Sequence, residues 1–417
     1  MDLPARPGTA QAGPPVPGRQ PTVRLPGAGG TAPQEARVSI CFVTIYPLDR
    51  RDLGGSGFVD RRLVKLLDAA FGDVEVCSVT GPDGDRTELG VPAYSTGSLP
   101  LEIRGDKGKL LRVATSMLVS TEPYLARKFT AFPGWHRAAA LLAERSAGRK
   151  VITSGWPALL LAEAAGVDVH AHVAHNVEST IAAEHSPRPL RMLGENWRLG
   201  QAERRLLKLP GSVFALSRSD AATLTEWGIE TKPLPLPLWQ QHRDASANAV
   251  GFIGKASWPP NARALDTLVG PVRAELLRMG GGDTEYVLAG KGTEEFAGRP
   301  GVTALGRVEE EADFYRKVGL VVVPRFGAST GISVKMLEAA EHGVASVVPP
   351  QLADAVDPEG PWLVAGDSTQ TAEVIMRWRR GETGVDPQEW TRRQDGSATA
   401  AALGPALGLD SLIAPKQ

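Results

Sequence analysis

The feature that most restricts the fold of this chain is a pattern that occurs twice: an apolar, β-branched run ends in small or polar residues and passes into a segment of helical period. The first instance is VSICFVTIYP from Val38, which reads as a strand covered on both faces. LDRRDLGGSG follows as a loop, and FVDRRLVKLLDAAFG carries Phe58, Leu63, Leu66 and Leu67 at helical spacing. DVEVCSV is the next strand, which completes a βαβ unit with a Gly-rich first turn. Further strands are expected at 150–155, 167–176 and 212–217. Helices are expected over about 108–147, in WPALLLAEAAG, near 190–208, and from SRSDAATLTEWG, where Ser219 or Asp220 can cap.

Residues 232–249 (KPLPLPLWQQHRDASANA) combine Pro with polar residues and read as a linker. The alternation then restarts with the strand AVGFIG (249–254) and continues through TEYVLAGKG, VTALGRV, LVVVPR (320–325), ASVVPP and WLVAGD, with helical segments between them and over most of 369–408. Such alternation implies parallel sheets with right-handed crossovers, and ligands at the carboxyl ends of the strands. The expected fold class is therefore α/β, two Rossmann-like doubly wound domains facing a cleft. Residues 37–240 form the first, 241–370 the second, and 371–417 helices that return to the first. Residues 1–36 are rich in Pro, Gly and Ala, and disorder is expected there.

A chain of 417 residues is long enough for two such domains. A net charge of -1 provides no overall field to draw it to nucleic acid. Cys41 and Cys77 fall in predicted strands as buried thiols, with no zinc-type spacing. No apolar run is long enough to span a membrane and no secretory pattern opens the chain, so the cytoplasm is the expected location. Residues 101–150 carry ten Lys/Arg against four Asp/Glu, with Leu110, Leu111, Met117, Leu118, Tyr124 and Phe129 interleaved. That composition fits either an ordinary helical insertion or a peripheral contact at the inner membrane face.

The segment with the most chemistry is LVVVPRFGASTGISVKMLEA (320–339). A buried strand enters a loop of small residues, including Thr330 and Gly331, and the loop enters a helix. Free N–H groups at a helix start attract anions. Lys335 lies one turn in, and Glu338 follows on the same face. A cation beside phosphate and a carboxylate beside vicinal hydroxyls suit a nucleotide diphosphate sugar, although the loop composition fits a plain βα turn equally well. On the strand 167–176, His170 and His172 share one face while His175 falls on the other, and no acidic or thiol ligand completes a set, so no metal is expected. The turn LGGSGF lacks the G-x-G-x-x-G spacing of a dinucleotide fold.

In the order GFIGKASWPPN, YVLAGKG, VTALGRV, DFYRKVGLVVVPRFGASTGISVKMLEAAEHGVASVV, the second half resembles the nucleotide-binding domain of retaining GT-B glycosyltransferases, family 4, over about 250–365. The resemblance implies that Glu338 holds the ribose hydroxyls and that the amides near Gly331, Ile332 and Ser333 face the diphosphate or the sugar. It places Thr330 where the family often has a Glu. A similar subgroup has a small-residue loop there and a Lys near the helix start, as Lys335. Lys255 follows the first glycine of the domain as a basic residue does in the family, while Asn261 stands where a Lys is usual. Diphosphate charge then falls on Lys255, Lys335 and Arg325, and Arg307 follows a turn that lies against the base. Gly54 and Gly55 are the first-domain glycines that approach the donor.

On the acceptor side the resemblance implies His175, Asn176 and Glu178 of HNVES at the cleft mouth. The family's usual histidine follows an earlier strand, where this chain reads TSGWPA, leaving Ser154 and Trp156 as lining candidates. The implied activity is glycosyl transfer from a nucleotide-diphosphate-sugar to an unidentified acceptor, with retention. His175, Lys335 and Lys255 are the catalytic candidates, and neither cofactor nor metal is expected. An epimerase on the same fold and an inactive GT-B-like binding protein are the alternatives.

Overall fold

The computed structural model describes residues 38–49, 54–81, 84–96, 99, 105–241, 247–327 and 330–409. The expected disorder of 1–36, residues 101–104 of the basic segment, part of the linker and the last eight residues lie outside that set.

Eight strands form the first sheet: β1 (Ile40–Thr44), β2 (Val74–Ser78), β3 (Gly84–Glu88), β4 (Val91–Ser95), β5 (Lys150–Ser154), β6 (Val169–Ala174), β7 (Ser212–Ala215) and β8 (Thr231–Pro233). Their order is β3-β4-β2-β1-β5-β6-β7-β8, parallel except for β3 against β4. That hairpin is absent from the sequence-based expectation. Its tight link is Leu89-Gly90, both at positive φ (55° and 87°), a geometry that joins twisted antiparallel strands without splaying them. The second sheet holds β9 (Val250–Ile253), β10 (Tyr286–Ala289), β11 (Val302–Gly306), β12 (Leu320–Val322), β13 (Ala345–Val348) and β14 (Trp362–Val364). Its order is β11-β10-β9-β12-β13-β14, with every pair parallel.

Both orders reverse direction beside the first strand of the sheet, between β1 and β5 and between β9 and β12. Crevices open at such switch points because the crossover helices leave to opposite faces. Every element argued above to carry chemistry leaves the carboxyl end of one of these strands, of the adjacent β6, or, for Arg307, of β11.

Three helix expectations are corrected. The region 108–147 is three helices, Lys107–Leu118, Tyr124–Thr130 and Gly134–Arg145, separated at Pro123 and Pro133. The charged stretch near 190–208 breaks at Gly194, left-handed at φ 75°, into Arg188–Met192 and Glu195–Leu206. Ser217, rather than Ser219 or Asp220, caps the helix Arg218–Glu226 by accepting from the Asp220 amide.

The linker is more ordered than its lack of helical period suggested. Leu234, Leu236 and Leu238 alternate inward and join a core cluster that runs from Ile40 and Phe42 of the first sheet to Val321 of the second and Met336 of the helix Val334–Glu341. Leu238 N–H donates to Gln394 C=O at 2.8 Å, and Gln241 N–H to Glu341 C=O at 2.8 Å. Among the C-terminal helices, Ser368–Arg379 packs against the second sheet's helices, Pro387–Arg393 against Val334–Glu341, and Ser397–Ala406 against Gly55–Phe71 of the first. Cys41 and Cys77 are free and buried, and burial raises both thiol pKa values, that of Cys41 to about 12.

Candidate active site

The second sheet contributes a corner built around Lys335. At the exit of β9, Gly254 has φ +155°, and a Cβ there would lie 2.7 Å from Asn261 Nδ2 and 2.9 Å from Lys335 Cε. The missing side chain lets Lys335 cross to Asn261, whose Oδ1 accepts from Nζ at 3.1 Å. Asn261 Nδ2 also donates to Lys255 C=O at 3.0 Å. The residue that stands in place of a lysine therefore positions a lysine from another element. Burial, and then Arg325, pull the Lys335 pKa down to about 8.

One turn on, Glu338 Oε2 accepts from Tyr315 Oη at 3.2 Å, and Tyr315 is itself stacked on His342 at 4.4 Å between ring centroids. Burial, with Glu311 adding to it, raises the Glu338 pKa to about 7. Ser333 precedes the helix Val334–Glu341 in an extended conformation, and its buried hydroxyl has no hydrogen-bond partner among the described residues. A buried hydroxyl left this way costs about 1–3 kcal/mol, so its presence beside a helix start and a lysine marks a place where an acceptor oxygen belongs.

The first sheet supplies the opposite wall. Gly54, at φ 70°, turns the chain into Gly55–Phe71, and a Cβ on Gly55 would lie 3.1 Å from Val334 Cγ2. The glycine loop of one sheet thus abuts the start of the Val334 helix of the other. Behind it lies a buried polar network. Asp60 accepts from the Thr44 hydroxyl and from Ser154 Oγ (2.5 Å). With the Ser154 proton so directed, its oxygen accepts from His175 Nε2–H at 2.8 Å, leaving Nδ1 as the acceptor toward Ser56 Oγ at 3.3 Å. Asp60 Oδ1 is 3.4 Å from the same Nε2. His175, at the end of β6, thus lies against Ser154 at the end of β5.

The loop before the Val334 helix also ties the two halves together. Thr330 Oγ1 donates to Asp220 Oδ1 (2.8 Å) and accepts from Val177 N–H (2.9 Å), while the Gly331 amide donates to Asp220 Oδ2 (2.7 Å). Gly331 has φ +72°, and a Cβ would fall 2.2 Å from Asn176 Oδ1. The expectation that Thr330 and the Gly331 amide face the donor is corrected: both are engaged by the first half, which leaves Ile332 and Ser333 at the corner. A second tie joins the Arg62 guanidinium to the Glu341 carboxylate.

The remaining candidates separate. Trp156 is packed in the core beneath β5, which corrects its reading as an acceptor-lining residue. Asn176 stands at the Gly331 contact, and Glu178 beside Glu203, where burial raises its pKa to about 8. Lys255 and Arg307 are exposed at the exits of β9 and β11. Arg325 leaves β12 under the ring of Trp258. His170 accepts from Val151 N–H, and His172 pairs with Thr153 with its pKa lowered to about 3 by burial, so both act within the sheet. Among the described residues no three His, Cys, Asp or Glu side chains are grouped to hold a metal ion. A larger cavity, about 800 Å³ and lined by Gly319, Trp378 and Arg379, lies at the amino ends of the second sheet's strands, the end opposite to where parallel sheets bind ligands.

Sequence reasoning missed Asp60, Thr44, Asp220 and Tyr315. Asp60 had a local signal, an acid on the apolar stripe of Leu63, Val64 and Leu67. Asp220 and Tyr315 act through contacts 111 and 23 residues away in sequence, which no local pattern shows.

Residues 247–379 match the model of the family described as glycosyl transferases group 1. No curated protein sequence matches the chain. Among solved structures, the sucrose-phosphate synthase of Thermosynechococcus elongatus superposes with a TM-score of 0.61 at 15% identity, over 89% of this chain and 98% of the other. A UDP-forming trehalose-phosphate synthase of Burkholderia vietnamiensis gives 0.59 at 13% identity over 91% and 98%, and Anabaena HepE, in complex with UDP and glucose, 0.58 at 14% over 89% and 99%. These superpositions show the GT-B architecture, two doubly wound parallel-dominated sheets. The second half, over 247–379, matches the group 1 glycosyl transferases, which marks the chain as a glycosyltransferase.

Asp220→Ala leaves the Thr330 hydroxyl and the Gly331 amide without their acceptor. Chemical denaturation is expected to show a loss of about 1–3 kcal/mol. An unchanged midpoint and slope would contradict the tie.

Proposed function

We propose that this enzyme moves a sugar, with retention, from a nucleoside-diphosphate donor held by the Val334 helix to an acceptor bound above Ser154 and His175. The observation that carries the proposal is the convergence of the unpartnered Ser333 hydroxyl, Lys335 and the helix start on one side with Gly55 and the His175 network on the other. Lys335 and the Ile332 and Ser333 amides take the diphosphate, with Lys255 and Arg325 adding positive charge. Glu338 takes the ribose hydroxyls, held in place by Tyr315. Arg307 lies toward the base, and Gly54 and Gly55 allow the backbone to approach the donor.

In such a reaction the leaving diphosphate oxygen takes the acceptor proton on the face of attack. The bond from the anomeric carbon to that oxygen breaks as the bond to the acceptor oxygen forms. The protein's part is to stabilise the leaving charge and orient both substrates, and fixed donors in a water-poor cleft do this effectively. Lys335 and the helix start supply that charge stabilisation without a metal or other cofactor. His175, fixed by Ser154 and Asp60, and Asn176 present polar groups to the sugar or acceptor, and Glu178 supports them from behind. HepE, solved with UDP and glucose, and the sugar-phosphate synthases on the same fold support a nucleotide-sugar donor and a sugar acceptor.

A peripheral contact with an anionic membrane, from the cytoplasmic side, is the second part of the proposal. Helix Lys107–Leu118 is amphipathic, yet only Val113 is buried. Leu111 and Leu118 are 66% and 85% exposed beside Lys107, Lys109 and Arg112. Glu195, accepting from the Tyr124 and Leu125 amides, connects this region to the start of Glu195–Leu206, where Met192 and Trp197 are also exposed (87% and 67%). Phe129 of the same sequence cluster packs inward instead. Exposed apolar side chains rimmed by cations suit the headgroup boundary.

Two measurements test these readings. Thermal-shift titration with UDP and GDP is expected to raise the melting temperature, and Glu338→Ala to abolish the rise. Glu338 accepts as a carboxylate above about 7 and Lys335 is cationic below about 8, so the shift should be largest between those pH values. A rise that persists in the variant removes Glu338 from the site. Flotation with phosphatidylglycerol vesicles should recover the wild type and lose Leu111→Glu/Leu118→Glu, while equal recovery of both would contradict the membrane surface.

A further inference from the structure

A cationic cavity lies beside the donor corner and shares with it only Arg325, at its edge. It measures about 160 Å³ and lies between the end of helix Glu178–His185 of the first half and the β12 exit and helix Pro259–Thr267 of the second. Its walls include Glu184, His185, Arg263, Arg325 and Phe326, but not Lys335, Ser333 or Glu338. That volume is well below the roughly 300 Å³ of a complete small-molecule pocket and suits one substituent of a larger substrate.

Arg263 and Arg325 are close enough to repel each other, and among the described residues neither guanidinium has an ion-pair or hydrogen-bond partner. Arg325 Cζ lies over the Trp258 ring, 5.1 Å from its centroid. The Arg325 backbone is pinned: Gln351 Nε2 donates to the carbonyls of Arg325 and Gly327, at 3.0 and 2.8 Å. The guanidinium is therefore aimed while its N–H groups remain unused. Glu184 is the one carboxylate on the cavity wall, and it lies 3.6 Å from His185 Nε2. Burial and the two arginines lower the His185 pKa, which favours its neutral form. Two arginines against one glutamate leave an excess positive charge in a partly buried place, an arrangement stabilised by a bound anion. Phe326 on the cavity wall, 37% exposed, and Trp258 beside Arg325, 41% exposed, offer apolar surface to a sugar ring.

We infer that Arg263 and Arg325 form a subsite for a carboxylate or phosphate carried on a sugar, so that one of the enzyme's sugar substrates is acidic. The inference rests on the nucleotide-sugar reading and goes beyond it by naming a substrate class. The arginine fork matches the two oxygens of either group, whereas a neutral hexose leaves both guanidiniums unsatisfied.

The full-length enzyme, saturated with whichever nucleoside diphosphate the thermal screen selects, is titrated calorimetrically with hexoses, hexuronates and hexose 6-phosphates of the gluco, galacto and manno series. At least one charged sugar should bind about tenfold or more tighter than its neutral parent. Which class gains tells a carboxylate from a phosphate. Arg263→Gln, an exposed helix position, should erase the preference while retaining nucleoside-diphosphate affinity, and Arg263→Lys should restore part of it. No preference for any charged sugar, or one unchanged in Arg263→Gln, overturns the subsite. Loss of nucleoside-diphosphate affinity in Arg263→Gln would assign the pair to the diphosphate and likewise overturn it. Failure of the wild type to bind any nucleoside diphosphate would instead bring down the donor reading on which the subsite rests.

Discussion

The path of Lys335 beneath Gly254 to Asn261 is the constraint on which the proposed donor corner depends. A buried ammonium is costly unless solvated by fixed partners, and here one amide oxygen and the face of Phe252 are the partners shown. That incomplete solvation lowers its pKa and leaves a cation prepared for a stronger acceptor. The absence of a Cβ at Gly254 makes the path possible, and the similar absence at Gly290, where a Cβ would lie 2.2 Å from Gly254 C=O, lets the neighbouring turns approach.

The first half answers this corner with a network of the opposite character. Asp60, Thr44, Ser154 and His175 are all buried and saturate one another, which fixes the imidazole in one orientation. One half thus offers unsatisfied positive groups and the other a rigid polar surface. Asp220 holds the connecting loop between them, and it spans the halves through Thr330 and Gly331.

Much of this was legible from the sequence because local rules and the fold agree. The buried strands, the restart after residue 249, and the strand-loop-helix ending in Lys335 and Glu338 follow from period, β-branching and small loop residues. The losses have particular causes. Thr330 looked like a substituted donor ligand, but its hydroxyl bridges to Asp220, a partner visible only after folding. Trp156 could be either lining or core because it follows a strand end, and its burial is decided by the helix Gly134–Arg145 packing on Trp156–Ala165. The linker's alternating Leu234, Leu236 and Leu238 were masked by the prolines between them, although a period of two was present.

The most direct measurement of the central claim is a crystal structure of the enzyme with the nucleoside diphosphate that stabilises it. The account predicts phosphate oxygens within hydrogen-bond reach of Ser333 and Lys335 Nζ, with the ribose hydroxyls on Glu338. A nucleotide bound elsewhere, such as the cavity beside Trp378 and Arg379, with Lys335 still on Asn261 and Ser333 still unpartnered, would contradict it.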